Sequence, residues 1–224
     1  MLWRCIRACA VFFMAAIPAA TGHVTLSDPP SRNAIHNSDW CPHCLDAGGA
    51  GAVYPTWSPR IKKYGVCGDP YKSRRDHEAG GKYATKTIRK TYKSGQKIRV
   101  RVDVSANHRG RISMRLCALP DRSESPSRER GRTTQRCFDR IVLRQPGGAT
   151  YMPVRSNANR VTGTYLLPKG VRCKRCVIQM WYETGNSCCP RGLSRSYCES
   201  GVSTCGKNGG LPEEFWNCAD VRIA

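Results

Sequence analysis

The chain has 224 residues, with 37 lysines and arginines against 16 aspartates and glutamates, and so a formal net charge of +21. Hydrophobic residues make up 40% of it, which supports a cored domain and excludes a disordered polyelectrolyte. The charge points to an acidic partner or surface, and the 14 cysteines point to an oxidising compartment, where nucleic acid is not the working partner.

Arg4 and Arg7 form a basic start, Ala8 to Ile17 is a short apolar run, and Ala20-Thr21-Gly22 has the small-x-small form of a cleavage site. Residues 1–22 therefore read as a secretory signal peptide, since the run is too short to cross a bilayer. Cutting after Gly22 leaves residues 23–224 as one domain, secreted and extracellular, with His23 first. A histidine in that place carries a free α-amino group beside its imidazole, and the two can chelate one metal. The amine has a pKa of roughly 8, low enough to yield its proton to a metal under mild conditions.

Residues 23–96 read as loop-rich, because Asp28-Pro29-Pro30 continues neither strand nor helix. Cys41, His43 and Cys44 have half the spacing of a zinc site, but nothing nearby supplies the other half, and disulfides are preferred. Trp40, Tyr54, Trp57 and Tyr64 follow as aromatics suited to stacking on sugar rings at a flat face, some of them destined for the core. The cysteines and aromatics favour an ordered, functional segment.

Regular structure begins at Lys97. Apolar and charged residues alternate strictly in Ile98-Arg99-Val100-Arg101-Val102-Asp103-Val104, the pattern of a half-buried strand, and Ile112, Met114 and Leu116 repeat it after a turn at Arg109-Gly110. Pro120 to Arg136 is polar and arginine-rich and reads as a solvated loop, bracketed by Cys117 and Cys137, which are expected to pair. Further strands are expected at Phe138–Leu143, Gly163–Leu167, Val177–Glu183 and Ala219–Ile223, with no long helix and no repeat. The twelve cysteines left after cleavage allow up to six disulfides. The fold class expected is all-β, an antiparallel β-sandwich with long disulfide-stapled loops. No later run spans a membrane, and no membrane partner is expected.

His108 stands at the exit of the strongest strand. The amine, His23 Nδ1 and one nitrogen of His108 would make three nitrogen donors with an open position on a square plane, a geometry that suits Cu(II). Phe215, just before the last strand, would block an axial site, although core packing is its simpler reading. No carboxylate pair stands in a recognisable glycosidase context.

The start His-x-x-x-x-Asp-Pro-Pro-x-Arg-Asn at His23, the Cys67-Gly68-Asp69 and Gly80-Gly81-Lys82-Tyr83-Ala84-Thr85 stretches, Ala106-Asn107-His108, and the ending Phe215-Trp216-Asn217-Cys218-Ala219-Asp220-Val221 together resemble the lytic polysaccharide monooxygenases of the auxiliary activity family fifteen type. The resemblance implies an immunoglobulin-like or fibronectin III-like sandwich carrying one copper ion in a histidine brace. His23 and His108 match the brace histidines, Phe215 the axial aromatic, and Ala106 the small residue shaping the free axial side. Gln179 and Glu183 are candidates for the polar group near the oxygen site. An external electron donor and hydrogen peroxide or oxygen are implied as co-reactants. The implied partner is an insoluble polysaccharide, chitin first and cellulose second, acted on by a monomer. Ala34-Ile35-His36-Asn37 departs from the aromatic-rich run that relatives carry there. The alternative is a non-catalytic polysaccharide-binding or copper-binding protein on the same scaffold. A third reading is a basic protein that holds anionic glycans through its arginines.

Overall fold

The computed structural model describes residues 23–35, 45–206 and 210–224. The expected signal segment, Trp40 and the Cys41/His43/Cys44 cluster lie outside the described residues. Eight strands build two facing sheets. One has the order β1 (His23–Asp28), β3 (Lys97–Ala106), β6 (Arg160–Leu166). The other has the order β2 (Lys90–Tyr92), β8 (Glu214–Ile223), β7 (Cys173–Glu183), β4 (Arg111–Ala118), β5 (Tyr151–Pro153). Every pairing is antiparallel except that of the short edge strand β2 with β8. The expected sandwich is thus present, with one parallel edge.

The alternation in β3 works as period two demands. Ile98, Val100, Val102 and Val104 point inward and meet Met114 and Leu116 of β4, Ile178, Met180 and Tyr182 of β7, and Phe215 and Ala219 of β8. The strand β8 alternates much less, because it is buried on both faces. Its outer face is covered by the segment between β1 and β2, where Tyr54 and Val53 pack with Trp216 and Leu211. Among its described residues that segment carries a 3-10 turn at Arg32–Ile35 and a short helix, α1 (Ala50–Val53). Two strands nevertheless lie in the stretch read as loop. The first, β1, runs up to the prolines, with Val24 and Leu26 wholly buried. The second, β2, spans three residues at a sheet edge, too short to show a period.

Two expectations for residues 120–143 fail. Phe138–Leu143 forms no strand. Thr134 caps a short helix, α3 (Gln135–Asp139), accepting the Cys137 N–H at 3.3 Å, and Phe138 is buried as its inward residue. Only Val142 bridges a strand, at Arg115. The polar stretch before it holds another helix, α2 (Pro126–Arg132), whose Glu129 is buried. Disulfides join Cys67–Cys218, Cys117–Cys137, Cys173–Cys176, Cys188–Cys205 and Cys189–Cys198, so the pairing expected of Cys117 and Cys137 is present. No helix among the described residues is long and apolar enough to cross a membrane.

Candidate metal centre

The pairing of β1 with β3 sets the main chain of His23 opposite Ala106, and His108 follows two residues on. Both histidines therefore lie at one end of the three-stranded sheet. Sequence distance contributes nothing here; antiparallel register alone joins residue 23 to the turn after residue 106.

That turn is held from several sides. Asn107 donates from Nδ2 to the carbonyls of Arg155 (2.8 Å) and Ala158 (2.6 Å), and its Oδ1 accepts the Arg109 N–H at 2.7 Å. Gly185 donates its N–H to the His108 carbonyl at 2.8 Å, and Gly110 donates to the Tyr197 carbonyl at 2.7 Å. Gly110 has φ +91, and a Cβ there would sit 2.1 Å from the Glu183 carbonyl oxygen, so only glycine lets the turn approach the end of β7. The Tyr182 hydroxyl accepts the His108 N–H at 3.3 Å and donates to the Arg109 carbonyl at 2.5 Å. Burial holds the Tyr182 phenol well above the usual range, so it stays a donor. The His108 Nε2 atom is shielded from solvent.

Phe215 is wholly buried, faces Tyr182 in register, and stacks on it with ring centroids 5.8 Å apart at 28°. The order Phe215, Tyr182, His108 main chain forms a packed path from the last strand to the turn. Sequence reasoning did not single out Tyr182, which sits at an ordinary inward position of β7 and carries no distinguishing signal.

Glu183 also lies at this end. It binds Arg111 at 2.6 Å, two residues before the Gly185 that grips the His108 carbonyl. Gln179 lies four residues back along the strand and is not brought to the turn. It is fully buried, donating to the Val66 carbonyl at 2.7 Å and to Gln135 at 2.9 Å. Of the aromatics expected at the surface, Trp57 is 68% exposed, while Tyr64 is half-buried against Trp216 with centroids at 4.5 Å. Tyr54 is core: it is 1% exposed and donates at 2.5 Å to Glu214. The Glu214 side chain is wholly buried, and Lys62 (2.8 Å) and Trp181 Nε1 (3.0 Å) also donate to it. This hub, too, left no mark in the sequence, because a Pro-Glu-Glu run reads as loop.

The expected donor set is one that would suit copper. With His23 as first residue, the nitrogen donors are an amine and two imidazoles. Among the described residues no group of three His, Cys, Asp or Glu side chains offers a competing site, and all ten described cysteines are in disulfides.

Residues 23–221 match the family described as lytic polysaccharide mono-oxygenase, cellulose-degrading. Among solved structures the chain is similar to the lytic polysaccharide monooxygenase AA15 from Thermobia domestica in the Cu(I) state. The two are 32% identical with a TM-score of 0.70, covering 90% of this chain and 99% of that one. A chitin binding domain from Burkholderia pseudomallei is 13% identical with a TM-score of 0.46, covering 91% of this chain and 100% of that one. No curated protein matches.

Proposed function

The chain belongs to the lytic polysaccharide monooxygenase family and is a copper-dependent, polysaccharide-active enzyme; from that premise we propose that His23 and His108 hold one copper ion and that the enzyme cuts insoluble β-linked polysaccharide oxidatively. The carrying observation is the register that sets His23 opposite Ala106, two residues before His108. Copper bound there supplies one-electron chemistry that draws on an external donor and on hydrogen peroxide or oxygen.

The chain's own part is positional. Tyr182 and Gly185 hold the main chain of His108, so the turn that would present its ring to the copper is fixed from both sides. Phe215 would contribute an apolar ring with no donor atom, packed against Tyr182 behind the His108 turn. Glu183, fixed by Arg111, stands closest of the two proposed polar residues to the turn, whereas Gln179 positions the Val66 loop. Trp57 offers a face for sugar stacking. The disulfides accord with secretion, the chain acting as a monomer cut after Gly22, and chitin precedes cellulose as the substrate to be tried, cellulose being the one the matched family's description names.

The test pairs metal binding with product release. Mature protein beginning at His23 should take up one copper tightly, and one extra residue before His23, or His108→Ala, should weaken that severely. With ascorbate and peroxide it should release oxidised oligosaccharides from chitin or cellulose. Tight copper binding by the extended form would sink the brace. One copper, adsorption to both polysaccharides and no oxidised product would favour the non-catalytic alternative.

A further inference from the structure

The arginine-rich segment after β4 folds as a platform with a cleft in it. Glu129 anchors α2 from below: its side chain is 4% exposed and is paired with Arg175 and with Lys86 at 3.3 Å. Arg130 donates to the Ala79 carbonyl at 2.7 Å, and the Cys117–Cys137 bond ties the far end to β4. Between the helices and the end of β4 lies a shallow cleft of about 270 Å³, floored by Leu119 and Pro120 and bordered by Thr134, Arg132, Arg136 and Arg140. The three arginines are exposed.

The four acids of residues 119–144 all have partners, and one of them, Glu124, holds the cleft's own Arg132. Glu124 binds Arg122 and Arg132, Asp139 binds Arg115 at 3.1 Å, Asp121 accepts the Lys174 N–H, and Glu129 is buried with its two partners. Arg136 and Arg140 have no carboxylate partner among the described residues. Their spacing of four puts them on one side of the chain around α3, both toward the cleft. A planar guanidinium with its donors free takes a carboxylate or sulfate in two parallel hydrogen bonds.

We propose that this cleft binds an acidic polysaccharide, with Arg136 and Arg140 holding carboxylate or sulfate groups of the sugar chain and Arg132 beside them. Five disulfides place the chain where the abundant polyanions are glycans. The cleft has no aromatic on which a nucleobase could stack. It also lies at the opposite pole from the metal centre. The strand β4 starts at Arg111, beside the His108 turn, and ends at Ala118 in the cleft, a run of roughly 25 Å at about 3.3 Å per residue. Both poles can be occupied at once, so an acidic matrix would hold the enzyme near its substrate without covering the metal face.

The test uses mature protein without copper, so its outcome does not depend on the metal reading. Binding is measured to a heparin oligosaccharide, to polygalacturonate and to duplex DNA, for wild type, for Arg136→Ser with Arg140→Ser, and for Lys97→Ser with Arg99→Ser. The last pair removes the same charge from the exposed side of β3. The Arg136/Arg140 variant should bind one or both acidic glycans about tenfold more weakly, the control less than twofold, with thermal midpoints unchanged. Loss confined to heparin assigns the group as sulfate, and loss confined to polygalacturonate assigns it as carboxylate. Equal loss in both variants would reduce the effect to net charge and overturn the site. So would absence of binding to either glycan, or DNA binding that depends more strongly on Arg136 and Arg140.

Discussion

At the scale of single residues, the proposed metal centre would depend on side chains beyond its two histidines. Tyr182 bonds both the His108 N–H and the Arg109 carbonyl while its ring lies on Phe215. Tyr182→Phe removes the donor to the part-buried Arg109 carbonyl and should cost about 1–2 kcal/mol in urea unfolding. The copper spectrum should broaden as the turn loosens, an effect that a purely structural role would not produce. Phe215→Tyr adds one hydroxyl to a packed position. Copper should remain bound, with a changed electron paramagnetic resonance spectrum and changed reactivity, because the two proposed ligand histidines are unaltered and only the ring packed behind their turn differs. His23 and His108 were legible from the sequence as candidates, through the cut expected before residue 23 and the strand exit before residue 108. Tyr182 and Glu214 were not, since their importance arises from register and from a covering loop that no local pattern announces. Tyr54 illustrates the same gap from the other side: an aromatic in a loop-rich run reads as surface, yet it is the donor that satisfies a buried carboxylate.

At the scale of elements, the long strands after residue 97 declared themselves, including the largely buried β7 and β8 at Val177–Glu183 and Ala219–Ile223, whereas β1 beside its prolines and the three-residue strands β2 and β5 did not. The alternation of β3 follows directly from burial on one side, while β4 keeps the alternation although Ser113 and Cys117 on its other face are buried as well. By contrast Phe138 to Leu143 is rich in β-formers but is helical at its start, because Thr134 caps the chain and the Cys117–Cys137 bond draws it back over β4. That bond spans a sequence separation of 20 residues. Replacing both cysteines by serine should destabilise by roughly 3 kcal/mol in the chain-entropy picture, read from the thermal midpoint. Hydrogen exchange should rise in α2 and α3 first, and affinity for acidic glycan should fall with it while copper affinity holds.

At the scale of the whole molecule, the buried tyrosines set a limit on alkaline stability. Desolvation holds the phenols of Tyr54, Tyr92, Tyr165 and Tyr182 well above the usual range in the folded state. Below a pH of about 10 both states keep these protons, and the groups leave stability unchanged; above it the unfolded chain releases them first and gains. Stability should therefore decline as pH rises past that value. These four should ionise only as the fold is lost, so the tyrosinate absorbance should rise together with the loss of the folded circular dichroism signal. Gradual ionisation within an intact fold would show that the sandwich admits water to them.

The course of β8 has a practical side. It leaves the metal pole at Glu214 and Phe215 and ends at Ile223, after which Ala224 is locked to Tyr92 and Ser94 by bonds of 2.9 Å. A thiol linker added after Ala224 would seat the protein on a gold electrode with its redox pole facing the solution, open to a solid substrate. Electron tunnelling decays exponentially with distance, and the electrode would then lie a whole strand's length from the metal. Such a film should give catalytic current only when a soluble mediator is present, and it should work on suspended particles that a film attached through the amino terminus could not reach.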